Sequence, residues 1–200
     1  MGFDIFAGTY FDAPALAAGA RINPSAITVT AWIKEDAAAN SGSIVNLRTP
    51  ANTSGFTIEP LFGTPGVLLW AVHTANGDQV LTAPYGSVGE TVFVAATFNS
   101  VEKRMALYLN GGLTSSVATS DATDCRILAT ETLRVGRNMV NALAFDGFID
   151  DVQIYGDALS CRAIEWMFAH PGEAVATDTP PDLTGDGTIN ASDLAFLLGA

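Results

Sequence analysis

Ile27, Val29, Ala31 and Ile33 alternate with Thr28, Thr30, Trp32 and Lys34 without a break, and this period of two restricts the fold more than any other feature. Successive side chains of an extended chain point to opposite faces, whereas a helix repeats every 3.6 residues, so the segment reads as a strand with one face on a core. Met105, Leu107 and Leu109 alternate in the same way with Arg104, Ala106, Tyr108 and Asn110, as do Val92, Val94, Ala96 and Phe98 with their neighbours. Further strands are expected at 42–48, 55–60, 67–73, 79–83, 133–137 and 148–155. Between them stand Asn76-Gly77-Asp78, Asn99-Ser100 and Asn110-Gly111-Gly112, residues that accept the positive φ of a tight hairpin. Strands at this spacing, without intervening helices, predict an all-β fold of two antiparallel sheets packed face to face.

The chain has 200 residues, 48% of them hydrophobic, enough for one sandwich of ordinary size and a short appendage. Twenty-one acids against nine Lys and Arg leave a net charge of -12. Such a field repels phosphate backbones and anionic lipid, so neither nucleic acid nor membrane insertion is expected. No apolar run approaches the length of a membrane span, and Asp4 is the first charge, so the N-terminus lacks a basic leader. The bases all lie at or before Arg162; beyond it come only Glu173, Asp178, Asp182, Asp186 and Asp193.

A short helix is expected at 161–168, with Ser160 as its N-cap and Pro171 marking its end. Residues 169–181 carry Pro and Thr without apolar periodicity and read as a linker. The stretch DLTGDGTINASD, residues 182–193, follows the EF-hand pattern. Asp182, Thr184 and Asp186 stand at the first, third and fifth places, and Gly187 at the sharp turn. Thr188 offers a carbonyl at the seventh, Asn190 stands at the ninth and Asp193 closes at the twelfth. Hard oxygen donors at this spacing wrap one Ca2+. The loop is similar to a dockerin repeat, which implies a cohesin-like partner for the tail.

Cys125 and Cys161 have no CxxC motif and no nearby histidine pair, so a zinc site has no ligand set. A disulfide between them is the expectation, against two separate buried thiols; it would contribute about 3 to 4 kcal/mol and imply an oxidising compartment. The calcium loop and the cysteines together point to an extracellular or cell-surface protein.

The segment FDGFIDDVQIYGDALS, residues 145–160, resembles the closing strand of the laminin-G-like, concanavalin A-like jelly-roll family. GTYFDAP (8–14), ITVTAWIK (27–34), VAATFNS (94–100), MALYLNG (105–111) and LRVGR (133–137) agree with that family in order. Thr91 and Ala163 depart from it, standing where the family usually has a Trp and a Glu. The resemblance covers residues 1–168, leaving 169–181 as linker and 182–200 as a partial dockerin-like calcium loop with the start of a helix. It implies a jelly roll that binds glycans or protein surfaces, often with calcium near the rim.

Asp150 and Asp151 are candidates for a second calcium, with Asp4 or Asp12 joining them as the resemblance suggests. Strict alternation places the two on opposite faces, and hydrogen bonds to loop amides are the alternative role for a partly desolvated carboxylate. For sugar contact the aromatic and planar polar candidates are Trp70, His73, Tyr85, Tyr108, Arg48, Arg137 and Asn138, since sugar rings stack on aromatic faces and their hydroxyls need fixed partners.

A glycoside hydrolase or polysaccharide lyase needs two acids at a fixed separation across the bond. The E-x-D-x-x-E pattern is absent, Glu59 is isolated on its strand, and the adjacent Glu35 and Asp36 point to opposite faces. Of the two histidines, His170 lies at the linker, which leaves little for nucleophile chemistry. The expectation is a non-catalytic extracellular binding module, carbohydrate-binding or adhesive. The alternative is a structural or assembly protein docking through its tail.

Overall fold

The computed structural model describes residues 3–5 (backbone), 10–12, 25–37, 42–49, 51, 54–74, 77–119, 132–138 and 143–175. Twelve strands and one helix follow along these: β1 (Phe3–Ile5), β2 (Phe11–Asp12), β3 (Ala26–Glu35), β4 (Val45–Arg48), β5 (Gly55–Pro60), β6 (Val67–Thr74), β7 (Gly77–Pro84), β8 (Thr91–Asn99), β9 (Arg104–Leu109), β10 (Gly112–Ala118), β11 (Arg134–Val135), β12 (Gly147–Tyr155) and α1 (Cys161–Ala169). The expected calcium loop at 182–193 lies outside the described residues.

Two six-stranded sheets result. One has the order β1-β12-β3-β8-β9-β10 and the other β2-β11-β4-β5-β6-β7, and every pairing is antiparallel. The expected two-sheet sandwich with a short helix is therefore what forms. Val29, Ala31 and Ile33 of β3 face Phe56, Ile58, Leu68 and Val72 of the second sheet, all buried in one core. Burying side chains of this kind stabilises the fold by about 1.5–3 kcal/mol each. The turn residues do as their chemistry requires: Gly77 opens β7 at φ +110°, and Asn110 and Gly111 join β9 to β10 at +48° and +81°.

The first sheet is covered on its other face as well. Phe93, Ala95, Ala106 and Tyr108 are buried there against Ile164 and Met167 of α1, with Trp32 and Phe168 packed beside them. The Trp32 ring stacks on Phe168 at 5.6 Å. Ser160 caps α1 as expected, its Oγ accepting from the Ala163 amide at 3.2 Å. Trp32 and Tyr108 thus stand on the polar-side register of their strands because that side is roofed by a helix, not wetted.

The expectation lacked β1 and β2, and two further strands differ from it. The segment 133–137 supplies only a two-residue strand, since Gly136 turns at φ +82°. β10, with the sequence GLTSSVA, was not foreseen: it pairs with β9 through an irregularity between Leu113 and Ser115 and is exposed along almost its whole length. No helix among the described residues is long and apolar enough to cross a membrane.

Candidate functional site: the outer face of the second sheet

Alternation along β4 and β5 sends Val45, Leu47, Phe56 and Ile58 to the core, so Asn46, Arg48, Thr57 and Glu59 share the opposite, outer face. The register makes them neighbours: Arg134 of β11 lies opposite Asn46, Asn46 opposite Thr57, and Thr57 opposite Ala71 of β6. The next row carries Arg48, Gly55 and His73.

These side chains form a connected polar lattice. Asn46 Nδ2 donates to Ser43 Oγ and Thr57 Oγ1, each at 3.2 Å. Both hydroxyls donate onward to Glu59 Oε2, Ser43 at 2.6 Å and Thr57 at 3.1 Å. Arg48 Nη1 stands 3.9 Å from the other Glu59 oxygen. Ser43, Asn46 and Thr57 are fully buried, whereas the side chains of Arg48 and Glu59 keep 12% and 19% exposure, so the lattice reaches solvent through that pair.

Several atoms on this face are buried without a hydrogen-bond partner: Asn46 Oδ1, Arg48 Nε and His73 Nε2. A buried polar atom left unpaired costs about 1–3 kcal/mol, and such atoms mark places where a further partner belongs. Alongside, the Arg137 guanidinium lies 4.2 Å over the ring of Tyr10, and Arg134 Nε is ion-paired to Asp12 at 3.1 Å.

A second group lies on β12. Asp150 pairs in register with Trp32, and an extra residue is inserted before Gln153 meets Thr30. Asp151 absorbs the insertion in a left-handed conformation, φ +47°. The bulge overturns the alternation expected for the two aspartates, because both line one shallow pocket of about 530 Å3 with Trp32, Thr91, Phe148 and Gly172. Asp151 spends both oxygens on donors of this chain, Gln153 Nε2 and the Gly172 amide, each at 2.8 Å. Asp150 Oδ1 accepts from the Asp151 amide at 2.8 Å. No group of three or more metal-ligating side chains occurs among the described residues. Of Asp4 the structure gives only the backbone register, opposite Phe148.

The other expected contact residues are placed as follows. Trp70 is fully buried, its Nε1 donating to the Thr97 carbonyl of the facing sheet at 3.1 Å, so it has no face open to a sugar. Tyr85 is buried beside Glu35, whose carboxyl burial raises above its ordinary range. Tyr85 is itself pushed far above the phenol range, by burial first and by the neighbouring Glu35 carboxyl second. Tyr108 is buried under α1 and raised to about 12, chiefly by burial. His73 is buried with Nδ1 2.8 Å from Asp78 Oδ1. Asn138 is also buried. Arg48 remains at the outer face, and Arg137 follows β11 with its guanidinium over the Tyr10 ring. The expected disulfide meets a free, exposed thiol at Cys161, 3.5 Å from Tyr108 Oη; Cys125 lies outside the described residues, as do Asp182, Thr184, Asp186, Thr188, Asn190 and Asp193.

Sequence reading missed Ser43, Asn46, Thr57 and Tyr10 and set Glu59 aside. The signal was present as polar residues two apart on strands whose alternate positions are core. What it lacked was the cross-strand register that joins them.

This architecture matches a known family along most of its length, from residue 7 to residue 165. The chain belongs to the concanavalin A-like lectin/glucanases superfamily. Among solved structures, the superfamily fold seen here resembles a native heptameric SAP-like pentraxin from Limulus polyphemus, with TM-score 0.61 and 17% identity over 82% of this chain and 76% of that one. It also resembles the ligand binding domain of botulinum neurotoxin serotype D in complex with N-acetylneuraminic acid (TM-score 0.58, 23% identity, 72% of this chain and 36% of that one). A third is the binding domain of botulinum neurotoxin DC in complex with rat synaptotagmin II (TM-score 0.54, 18% identity, 72% and 35%). The chain spans about a third of the toxin chains, and at these identities the likeness is one of fold. No curated protein matches it.

Proposed function

We propose that this chain is a non-catalytic binding module that takes a saccharide on the outer face of the second sheet. The observation that carries this is the Ser43–Asn46–Thr57–Glu59–Arg48 lattice, with its unpaired acceptor on Asn46 and unpaired donor on Arg48. Sugar hydroxyls donate and accept together, and the Arg48–Glu59 pair, through which the lattice reaches solvent, offers both, held in place by the buried Ser43, Asn46 and Thr57. Glu59 has its oxygens engaged by two hydroxyls and a guanidinium, an arrangement that favours holding a ligand over moving a proton. Two of the similar structures are complexes, one with a sialic acid and one with a protein, which agrees with a saccharide or protein-surface ligand.

The reading extends to the tail. The ligand spacing at 182–193 supports one bound Ca2+ and, through the dockerin-like pattern, attachment to a cohesin-like partner outside the cell.

A glycan array run in calcium and again in chelator tests the proposal. The expected result is a defined set of saccharide hits, weakened about tenfold by Asn46→Ala and by Glu59→Gln with unchanged far-UV circular dichroism. Silence on the array in both conditions, or hits indifferent to both substitutions, would refute it. Calcium binding by the tail is read separately by titration calorimetry with the full chain, where loss of the heat in Asp182→Ala is expected.

A further inference from the structure

From the charges around this site we infer that its ligand is acidic, a saccharide bearing a carboxylate; the inference rests on the saccharide-binding reading above. The chain carries only nine basic residues against twenty-one acids, yet Arg48, Arg134 and Arg137 lie on or beside the adjacent strands β4 and β11. The Gly136 amide donates to the Ile44 carbonyl at 3.0 Å, which carries the β11–β4 pairing up to the residue before Arg137.

The counter-charges do not match. Asp12 neutralises Arg134 at 3.1 Å. Glu59 meets Arg48 only at 3.9 Å and shares its charge with two hydroxyls. Arg137 has no carboxylate in ion-pairing distance among the described residues. It lies over the Tyr10 ring instead, with its Nε buried and unpartnered. Two acids thus stand against three guanidinium groups on or beside β4 and β11 in a strongly acidic protein.

An Nε–H and an Nη–H of one guanidinium form a planar fork that fits the two oxygens of a carboxylate, a geometry that an ammonium cannot offer. Tyr10 is 44% exposed, so the ring that holds Arg137 also presents apolar surface on which a sugar can pack. His73, 4% exposed with Nε2 unpaired, and Asn46, fully buried with Oδ1 unpaired, lie on the same sheet face.

The test uses the full chain and a panel of oligosaccharides bearing uronic or sialic carboxylates, beside the same saccharides after methyl esterification, neutral oligosaccharides and sulfated ones. Titration calorimetry is expected to show the acids binding at least about tenfold more tightly than their esters. Raising the salt should weaken the acids and leave the esters alone. Arg137→Lys should remove most of the difference while the melting temperature holds. Equal binding of acid and ester overturns the inference and leaves the saccharide reading standing, and so does a preference for the sulfated compounds. Absence of binding by any saccharide, neutral ones included, overturns the reading beneath it. The ester comparison needs no variant, so it decides the matter even where Arg137→Lys fails to fold.

Discussion

The indole N–H of Trp70 donates to the carbonyl oxygen of Thr97 at 3.1 Å, and that bond ties one sheet of the sandwich to the other. Trp70 is the largest fully buried side chain of the core and packs against Phe56 at 5.8 Å between ring centroids. Trp70→Phe is expected to cost about 2–4 kcal/mol, the lost bond and the smaller ring together, measured by urea denaturation. Saccharide affinity should stay within twofold, about 0.4 kcal/mol. A variant as stable as the parent would contradict this role.

Asp151 holds a left-handed backbone and fastens the chain after α1 through its bond to the Gly172 amide. Asp151→Ala loses both side-chain bonds and places a less tolerant residue at positive φ, at a cost of about 2–3 kcal/mol. Asp151→Gly should cost less, because glycine accepts the backbone. Amide exchange at Gly172 should accelerate in both; protection equal to the parent's would show that the bond does not hold the segment.

Glu35 is 4% exposed, and burial raises its carboxyl above the ordinary value of 4.5, partly opposed by Tyr85. As pH rises past that ordinary value the unfolded chain ionises first, so this group removes stability until the folded carboxyl has ionised too, and above that the loss is constant. Glu35→Gln should therefore raise the melting temperature at pH 7, and the gain should vanish as pH falls below 4.5. A pH-independent difference would point to packing instead.

Cys161 opens α1 as an exposed thiol. In a Cys125→Ser variant it should react with Ellman's reagent without denaturant, and adding Cys161→Ser to that variant should remove the reaction. An unreactive Cys161 in the folded Cys125→Ser variant would mean that the helix start is shielded.

Where one face of a strand meets the core, the sequence was sufficient. The alternation from Ile27 to Lys34 located β3, and Ser160 located the start of α1. It misled at Trp70, because the unbroken apolar run from Val67 to Val72 shows no alternation, and only the facing sheet decides which of its side chains are packed inside. At Asp150 and Asp151 a single inserted residue cancelled the parity on which face assignments depend. β10 was invisible because its hydroxyl-rich sequence has no buried face to impose a period. The lattice around Glu59 was half legible: its residue types stood in plain view, but their adjacency is a property of pairing between strands.

The unforeseen strand β10 closes one side of the first sheet, with Leu113 and Val117 exposed along it. A straight border of free amides would invite a neighbouring molecule to add itself and start an aggregate. The slip between Leu113 and Ser115 puts a kink in that border, and the intervening threonine and serines keep it hydrated. Crowded copies of this protein consequently meet a crooked, wet margin that gives a growing fibril no template.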